Sequence, residues 1–201
     1  MRLQPESLCG GLIFCSNMTR AEALILLKNH LTNVNLIKHS LAVESAMRFL
    51  ANRFDKDEEE WGLTGLLHDI DYEEVKGDPG QHSLVGAEIL EKAGLDSEIV
   101  EAVKTHNEFH QLPPKSLMAK ALFCADPLTG LIVANALVLP SHKIQDLTID
   151  SVLKHFHQSS FAKGVKREII ARCEDYLHLG LSEFIDIVLR SMQSINQELG
   201  L

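Results

Sequence analysis

Gly62-Leu63-Thr64-Gly65-Leu66-Leu67-His68-Asp69-Ile70 is the stretch on which the fold turns. Leu63, Leu66, Leu67 and Ile70 recur at the three- and four-residue spacing of one helix face, and they surround His68-Asp69. Gly65 and Gly62 lie one and two turns before Asp69, a spacing that lets a partner backbone approach closely. Burying an ionised aspartate in such company costs several kcal/mol unless it is paired or bound to a metal. An aliphatic helix that ends on His-Asp therefore predicts a partner for both.

Working outward, the periodicity predicts helices over roughly 20–30, 35–53, 58–69, 82–93, 97–107, 115–125, 128–138, 148–157, 165–177 and 182–199, with no segment of period two. Thr19 with Glu22 forms a capping-box start. Asp96, Thr148 and Ser182 are expected N-caps, and Gly94 and Gly180 expected stops. Four more of these helices carry a ligand-type residue on their apolar stripe. His39 shares a face with Leu36, Val43, Met47 and Leu50; His82 opens the stripe Val85, Gly86, Ile89, Ala93. His106 follows Ile99, Ala102 and Val103, and Met118, Leu122 and Ala125 lead to Asp126, where Pro127 is expected to kink the chain. A lone histidine on an apolar face is more often a core residue bonded to a carbonyl. Five helices each delivering such a group, with no lysine or arginine on the stripes, instead predict a divalent metal centre. Imidazole and carboxylate donors suit Fe, Mn, Zn, Co or Ni, as one or two ions. His30, His110, His142, His155, His157 and His178 fall in loops or near helix ends and are given no metal role.

The chain has 201 residues, 45% apolar and 23% charged, which excludes a disordered polypeptide and predicts one all-α domain. The expected division is a loose tail over 1–17, a metal-binding helical domain over 18–140, and a small helical C-terminal layer over 141–201. The net charge of −9 disfavours long nucleic acid as a partner. No uninterrupted apolar run approaches the ~18–20 residues of a membrane helix, so no membrane partner is expected. Cys9, Cys15, Cys124 and Cys173 form no CxxC pair and read as free thiols of a cytoplasmic protein.

His39-Ser40, Leu66-Leu67-His68-Asp69-Ile70, His82 to Leu90, His106-Asn107-Glu108 and Ala125-Asp126 together resemble the HD-domain metal-dependent phosphohydrolases over roughly residues 35–128. The resemblance implies an all-α HD-domain bundle in which His39, His68, Asp69 and Asp126 bind one metal. Two-metal members add histidines at the positions of His82 and His106, and Asp69 would then bridge the ions. The cyclic-dinucleotide-cleaving branch reads His-Asp-Ile-Gly-Lys, where this chain has His68-Asp69-Ile70-Asp71-Tyr72. It reads His-His-Glu where this chain has His106-Asn107-Glu108, and no Gly-Tyr-Pro follows. Cleavage of cyclic dinucleotides is therefore not expected.

The expected activity is hydrolysis of a phosphomonoester or phosphodiester in a small, nucleotide-like molecule, with Asp69 in the catalytic centre. Neither Asp71 nor Glu73 has ligand-like spacing, so either, with Glu73 preferred, is a candidate to move a proton to the leaving group. Lys163, Lys166 and Arg167 around Gly164 form the dense basic cluster of the chain and are candidate phosphate-binding residues, provided that this segment folds over the metal face. Two alternatives keep the same ligands: a di-iron oxygenase of the HD fold, and a non-catalytic metal-stabilised nucleotide sensor.

Overall fold

The computed structural model describes residues 18–76 and 78–201; the expected tail over 1–17 lies outside the described residues. Among the described residues eleven α-helices run in the order α1 (Arg20–His30), α2 (Val34–Arg53), α3 (Glu58–Leu67), α4 (Leu84–Lys92), α5 (Ser97–Thr105), α6 (Leu117–Val138), α7 (Ile149–Phe156), α8 (Arg167–Ile170), α9 (Cys173–Leu177), α10 (Leu181–Ser194) and α11 (Asn196–Leu199). Two 3-10 turns, Glu108–His110 and Ile144–Asp146, precede α6 and α7. There is no strand among the described residues. The fold is all-α, as the periodicity predicts.

The starts follow from local chemistry. Thr19 and Glu22 form the reciprocal capping box, and Asn33, Asp57, Asp96, Ser116 and Thr148 each accept a backbone N–H of the turn they open. Other boundaries differ from the expected ones. The stop near Gly180 is made by His178 in the left-handed conformation, and Gly180 rather than Ser182 caps α10. The segment 165–177 is two short helices, and 182–199 is broken at Ile195. The two helices expected over 115–125 and 128–138 are one continuous α6 that runs through Pro127. Apolar side chains on nearly every side of α6 are buried, and that packing outweighs the hydrogen bond lost at the proline. By length and composition this helix could cross a membrane, but most of it is buried within the protein, as befits a core helix.

Helix α2 is the axis around which the site is built. It packs most extensively against α3 and also against α6 and α10. The close approach to α3 rests on Gly65, where a Cβ would lie 2.6 Å from the Val43 carbonyl oxygen. At Gly62 the neighbour is a side chain, since a Cβ there would meet the Arg48 guanidinium. A single apolar core runs from Ala23 to Leu199, so the C-terminal helices share it with the first half of the chain. Ser45 on α2 donates to the Ser191 carbonyl of α10 across that contact, at 2.8 Å.

Candidate metal centre

The six ligand-type residues converge. His39 comes from the first half of α2, His68 caps the C-terminus of α3, Asp69 begins the following turn, His106 caps α5, and Asp126 sits midway along α6. His82 was expected to open a helix; it stands two residues before α4, in the preceding turn. The helix cannot start earlier because Ser83 has φ +71° and ψ −31°, a conformation that costs a non-glycine residue roughly 1–3 kcal/mol.

Each of the four histidines of the cluster presents its Nε2 to the carboxylates. Asp69 Oδ1 lies 3.4 Å from His68 Nε2 and 3.3 Å from the Nε2 atoms of both His82 and His106. Its Oδ2 lies 3.7 Å from His39 Nε2. Asp126 Oδ1 lies 3.0 Å from His39 Nε2 and 3.7 Å from His68 Nε2. The ligand atoms fall into three overlapping groups within 4.8 Å: His39, His68, Asp69; His68, His106, Asp126; and Asp69, His82, His106. Asp69 and His106 are almost fully buried and His68 completely so.

The opposite ring nitrogens explain why the Nε2 atoms point inward. His68 Nδ1 donates to the Gly65 carbonyl at 2.9 Å and His106 Nδ1 to the Val103 carbonyl at 2.6 Å, each one turn back. His82 Nδ1 meets Asp71 Oδ1 at 2.9 Å, and His39 Nδ1 lies 3.3 Å from Thr129 Oγ1. A proton held on Nδ1 leaves the Nε2 lone pair free, the arrangement typical of a metal-ligating imidazole. The Nε2 atoms of His68 and His106 are buried with no hydrogen-bond partner. Orphaned acceptors beside two carboxylates fit a divalent cation.

The charges show the same demand. Burial opposes the ionised form of Asp69, but His68, His106 and His82 outweigh it and hold the carboxyl well below its usual range. Burial likewise opposes ionisation of Asp126, which His39 and His68 hold low. Burial would push His68 down, yet Asp69 and Asp126 raise it well above the ordinary imidazole value. Burial also works against His82, and Asp69 and Asp71 nonetheless raise it to about 9. Two buried carboxylates held ionised beside imidazoles raised above their ordinary value form a cluster that calls for positive charge.

The other expected site residues are placed differently. Asp71 is fully buried and accepts from Ser83 N and Gly86 N at 2.8 Å as well as facing His82 Nδ1, so it braces the His82 ring instead of facing solvent. Glu73 is not brought into the cluster. Its carboxylate accepts from Thr32 N and Thr32 Oγ1 at 2.9 Å and from Asn33 N at 2.7 Å, tying the turn after α3 to the start of α2. The basic segment does fold beside the cluster. A pocket of ≈ 250 Å³ is lined by His39, His106 and Asp126 on one side and by Gly164, Val165, Lys166 and Ile169 on the other. Lys166 pairs with Glu108 there. Arg167 donates from its terminal nitrogens to the carbonyls of Phe161, Ala162 and Val165 and so braces the loop; its Nε is buried without a partner, and the side chain does not line the pocket. Lys163 is exposed and does not line the pocket. In the sequence, Asn107 and Glu108 figure only as part of a motif and His110 is given no metal role, so none of the three is assigned a task; Glu108, two residues after His106, lines the pocket.

An all-α bundle that aims histidines and aspartates from five elements at one buried point is the architecture of an HD domain. Residues 36–131, just under half of the chain, match the HD domain family model. HD domains are in general metal-dependent hydrolases and bind divalent ions. The chain is 34% identical over 96 residues to ribonuclease Y of Oleidesulfovibrio alaskensis, 33% to that of Nitratidesulfovibrio vulgaris and 31% to that of Geobacter sulfurreducens. Each match covers 48% of this chain and 18% of the relative, so the chain spans less than a fifth of these proteins. No solved structure gives a significant match.

Proposed function

We propose that this chain is a metal-dependent phosphohydrolase acting on a small, nucleotide-like phosphorylated substrate. The observation that carries the reading is the set of four imidazoles, each with Nδ1 engaged and Nε2 facing Asp69 or Asp126. His39, His68, Asp69 and Asp126 would hold one ion, and Asp69, His82 and His106 a second, with Asp69 shared. When bound, divalent ions polarise a phosphoryl oxygen and acidify water, which is the chemistry ester hydrolysis requires. The chain's own contribution is the fixed donor set and the adjoining pocket. Phe123, Pro127, Val165 and Ile169 give that pocket an apolar wall for an organic group, and Lys166, paired there with Glu108, would have to exchange that carboxylate for a phosphate to bind it. At ≈ 250 Å³ it falls below the ~300–1,000 Å³ of drug-sized sites, which favours one small phosphorylated unit over the interior of a polymer.

Ribonuclease Y, by its name, acts on RNA, and that substrate class is the natural comparison in the assay. The protein, stripped with chelator and reloaded separately with Mn, Co, Zn or Fe, is offered p-nitrophenyl phosphate, its bis-ester, nucleoside monophosphates, a dinucleotide and a short RNA. Hydrolysis of the small esters should vanish on chelation and return with metal. A loaded protein that turns over none of them overturns the reading. Cleavage of RNA alone would replace the small-substrate part of it.

A further inference from the structure

The turn that carries His82 is held by side chains that have no other evident task. Ser83, the next residue, has φ +71°, a backbone state disfavoured for serine. Asp71 accepts the Ser83 and Gly86 amides, and Ser83 Oγ donates to the Lys104 carbonyl at 3.0 Å. The carbonyl of His82 itself accepts from His110 Nε2 at 2.7 Å and from Asn107 Nδ2 at 3.1 Å. Asn107 also donates to the Pro79 carbonyl at 3.0 Å, while its Oδ1 accepts the Phe109 amide and so fixes the 3-10 turn that follows His106. One asparagine thus links the segments that deliver His82 and His106. Strained backbone persists where its surroundings over-determine it.

We infer that Asn107 and His110 are positioning residues for the second ion-binding group, setting how tightly Asp69, His82 and His106 hold their ion. Neither touches an Nε2 atom; both act by fixing the carbonyl of His82 and with it the aim of the ring. The inference rests on the metal reading above and adds that the two ion sites depend on different supports. Outer partners of metal ligands typically change affinity roughly 10–100-fold when removed.

The test is stepwise titration of the metal-free protein with Mn²⁺ by calorimetry, together with metal analysis after dialysis. Asn107→Asp keeps the acceptor for Phe109 and deletes the donor to His82. The charge it adds would favour a cation, so weaker binding would run against simple electrostatics. His110→Ala deletes the other donor, and His110→Gln restores an N–H at that place. The first ion should bind as in the parent, the second roughly 10–100-fold more weakly in Asn107→Asp and His110→Ala, and His110→Gln should recover most of the loss. Should Asn107→Asp fail to fold, the His110 pair decides alone. An unchanged second step, an equal loss in both steps, or a parent that takes only one ion overturns the inference while leaving metal binding intact. A parent that binds no ion fails the metal reading as well.

Discussion

His39 and Asp126 stand in the bodies of α2 and α6, whereas His82 stands in a turn between helices. The first pair is aimed by core packing. Around His39, α2 buries Ala42, Val43, Ala46 and Met47 completely, and around Asp126, α6 does the same with Cys124, Ala125 and Leu128. His82 is aimed by the hydrogen bond its Nδ1 donates to Asp71 and by those its carbonyl accepts from His110 and Asn107. Apolar packing tolerates no small displacement without a cost over many contacts, while a polar clamp can lose one member and keep the fold. Damage to the core should therefore reach the first ion site and the stability together. Damage to the clamp should reach the second site alone.

Asp69 belongs to both halves, so its loss should have the largest effect. Asp69→Ala should remove both ions and lower hydrolysis by at least about a thousandfold, as expected when metal-assisted chemistry is lost altogether. His82→Ala should keep one ion. Metal content per chain, measured beside activity, separates the two. Equal metal loss in both variants would erase the division between the halves.

Two glycines probe the supports directly. In Gly65→Ala the new Cβ would lie 2.6 Å from the Val43 carbonyl oxygen and 2.9 Å from Glu44 Cα, both backbone, so α3 must move off α2. His68 moves with it, because its Nδ1 bonds the Gly65 carbonyl. A loss of about 2–3 kcal/mol is expected, with weakened binding of the first ion. In Gly86→Ala the nearest atoms are those of the Asp71 carboxylate, at 3.2–3.4 Å, which can shift by a few tenths of an ångström. Stability should hardly change, while the grip of Asp71 on His82 loosens and the second ion binds less tightly. Denaturant melts of the metal-free variants and Mn²⁺ titrations would show the contrast; a Gly65→Ala protein as stable as the parent would remove the packing argument.

The same division appears in what the sequence made legible. The helical period placed His39, His106 and Asp126 on apolar faces because packing decides their aim, and packing leaves a periodic trace. The turn around His82 left none: Ser83 at positive φ, and Asp71 reaching eleven residues onward, follow no repeat. Pro127 misled for the complementary reason, since a local rule about proline says nothing of the burial that carries α6 through it. Charge alone points Arg167 and Glu73 at a substrate, yet Arg167 spends its donors on the carbonyls of its own loop and Glu73 its oxygens on the amides before α2. A sequence shows which groups are expensive to bury more readily than it shows which loop will satisfy them.

Protons offer a gentler perturbation. Metal-free His82 is raised to about 9 from an ordinary 6.5, because Asp69 and Asp71 outweigh burial. Its contribution to stability is complete below pH 6.5 and is lost as the pH rises from there through 9. The metal-free melting temperature should therefore fall across that window. Metal must displace the His82 proton, so affinity for the second ion should climb towards pH 9, by up to about tenfold per unit. Calorimetry in buffers of different ionisation enthalpy would count the released protons. A second ion bound equally well at pH 6.5 and 9 would show that His82 is not its ligand.

The smallest effect is expected at Glu73, where the carboxylate serves the backbone of another element. Its oxygens collect the amides of Thr32 and Asn33 and the Thr32 hydroxyl, and the amide hydrogen bonds hold the carboxyl below its ordinary 4.5. Glu73→Gln keeps one acceptor oxygen and loses the other, together with the charge that favours donors at the start of α2. Metal content and hydrolysis should stay within about twofold of the parent, the range of ordinary surface substitutions, and the melting temperature at pH 7 should drop slightly. A group held low contributes above its unfolded pKa and loses that contribution as the pH falls through the folded one. The gap between variant and parent should therefore close in acid, below about pH 4.5. A large fall in kcat with unchanged melting would instead return Glu73 to the chemistry, and would require the turn after α3 to swing its carboxylate towards Asp69 when substrate binds.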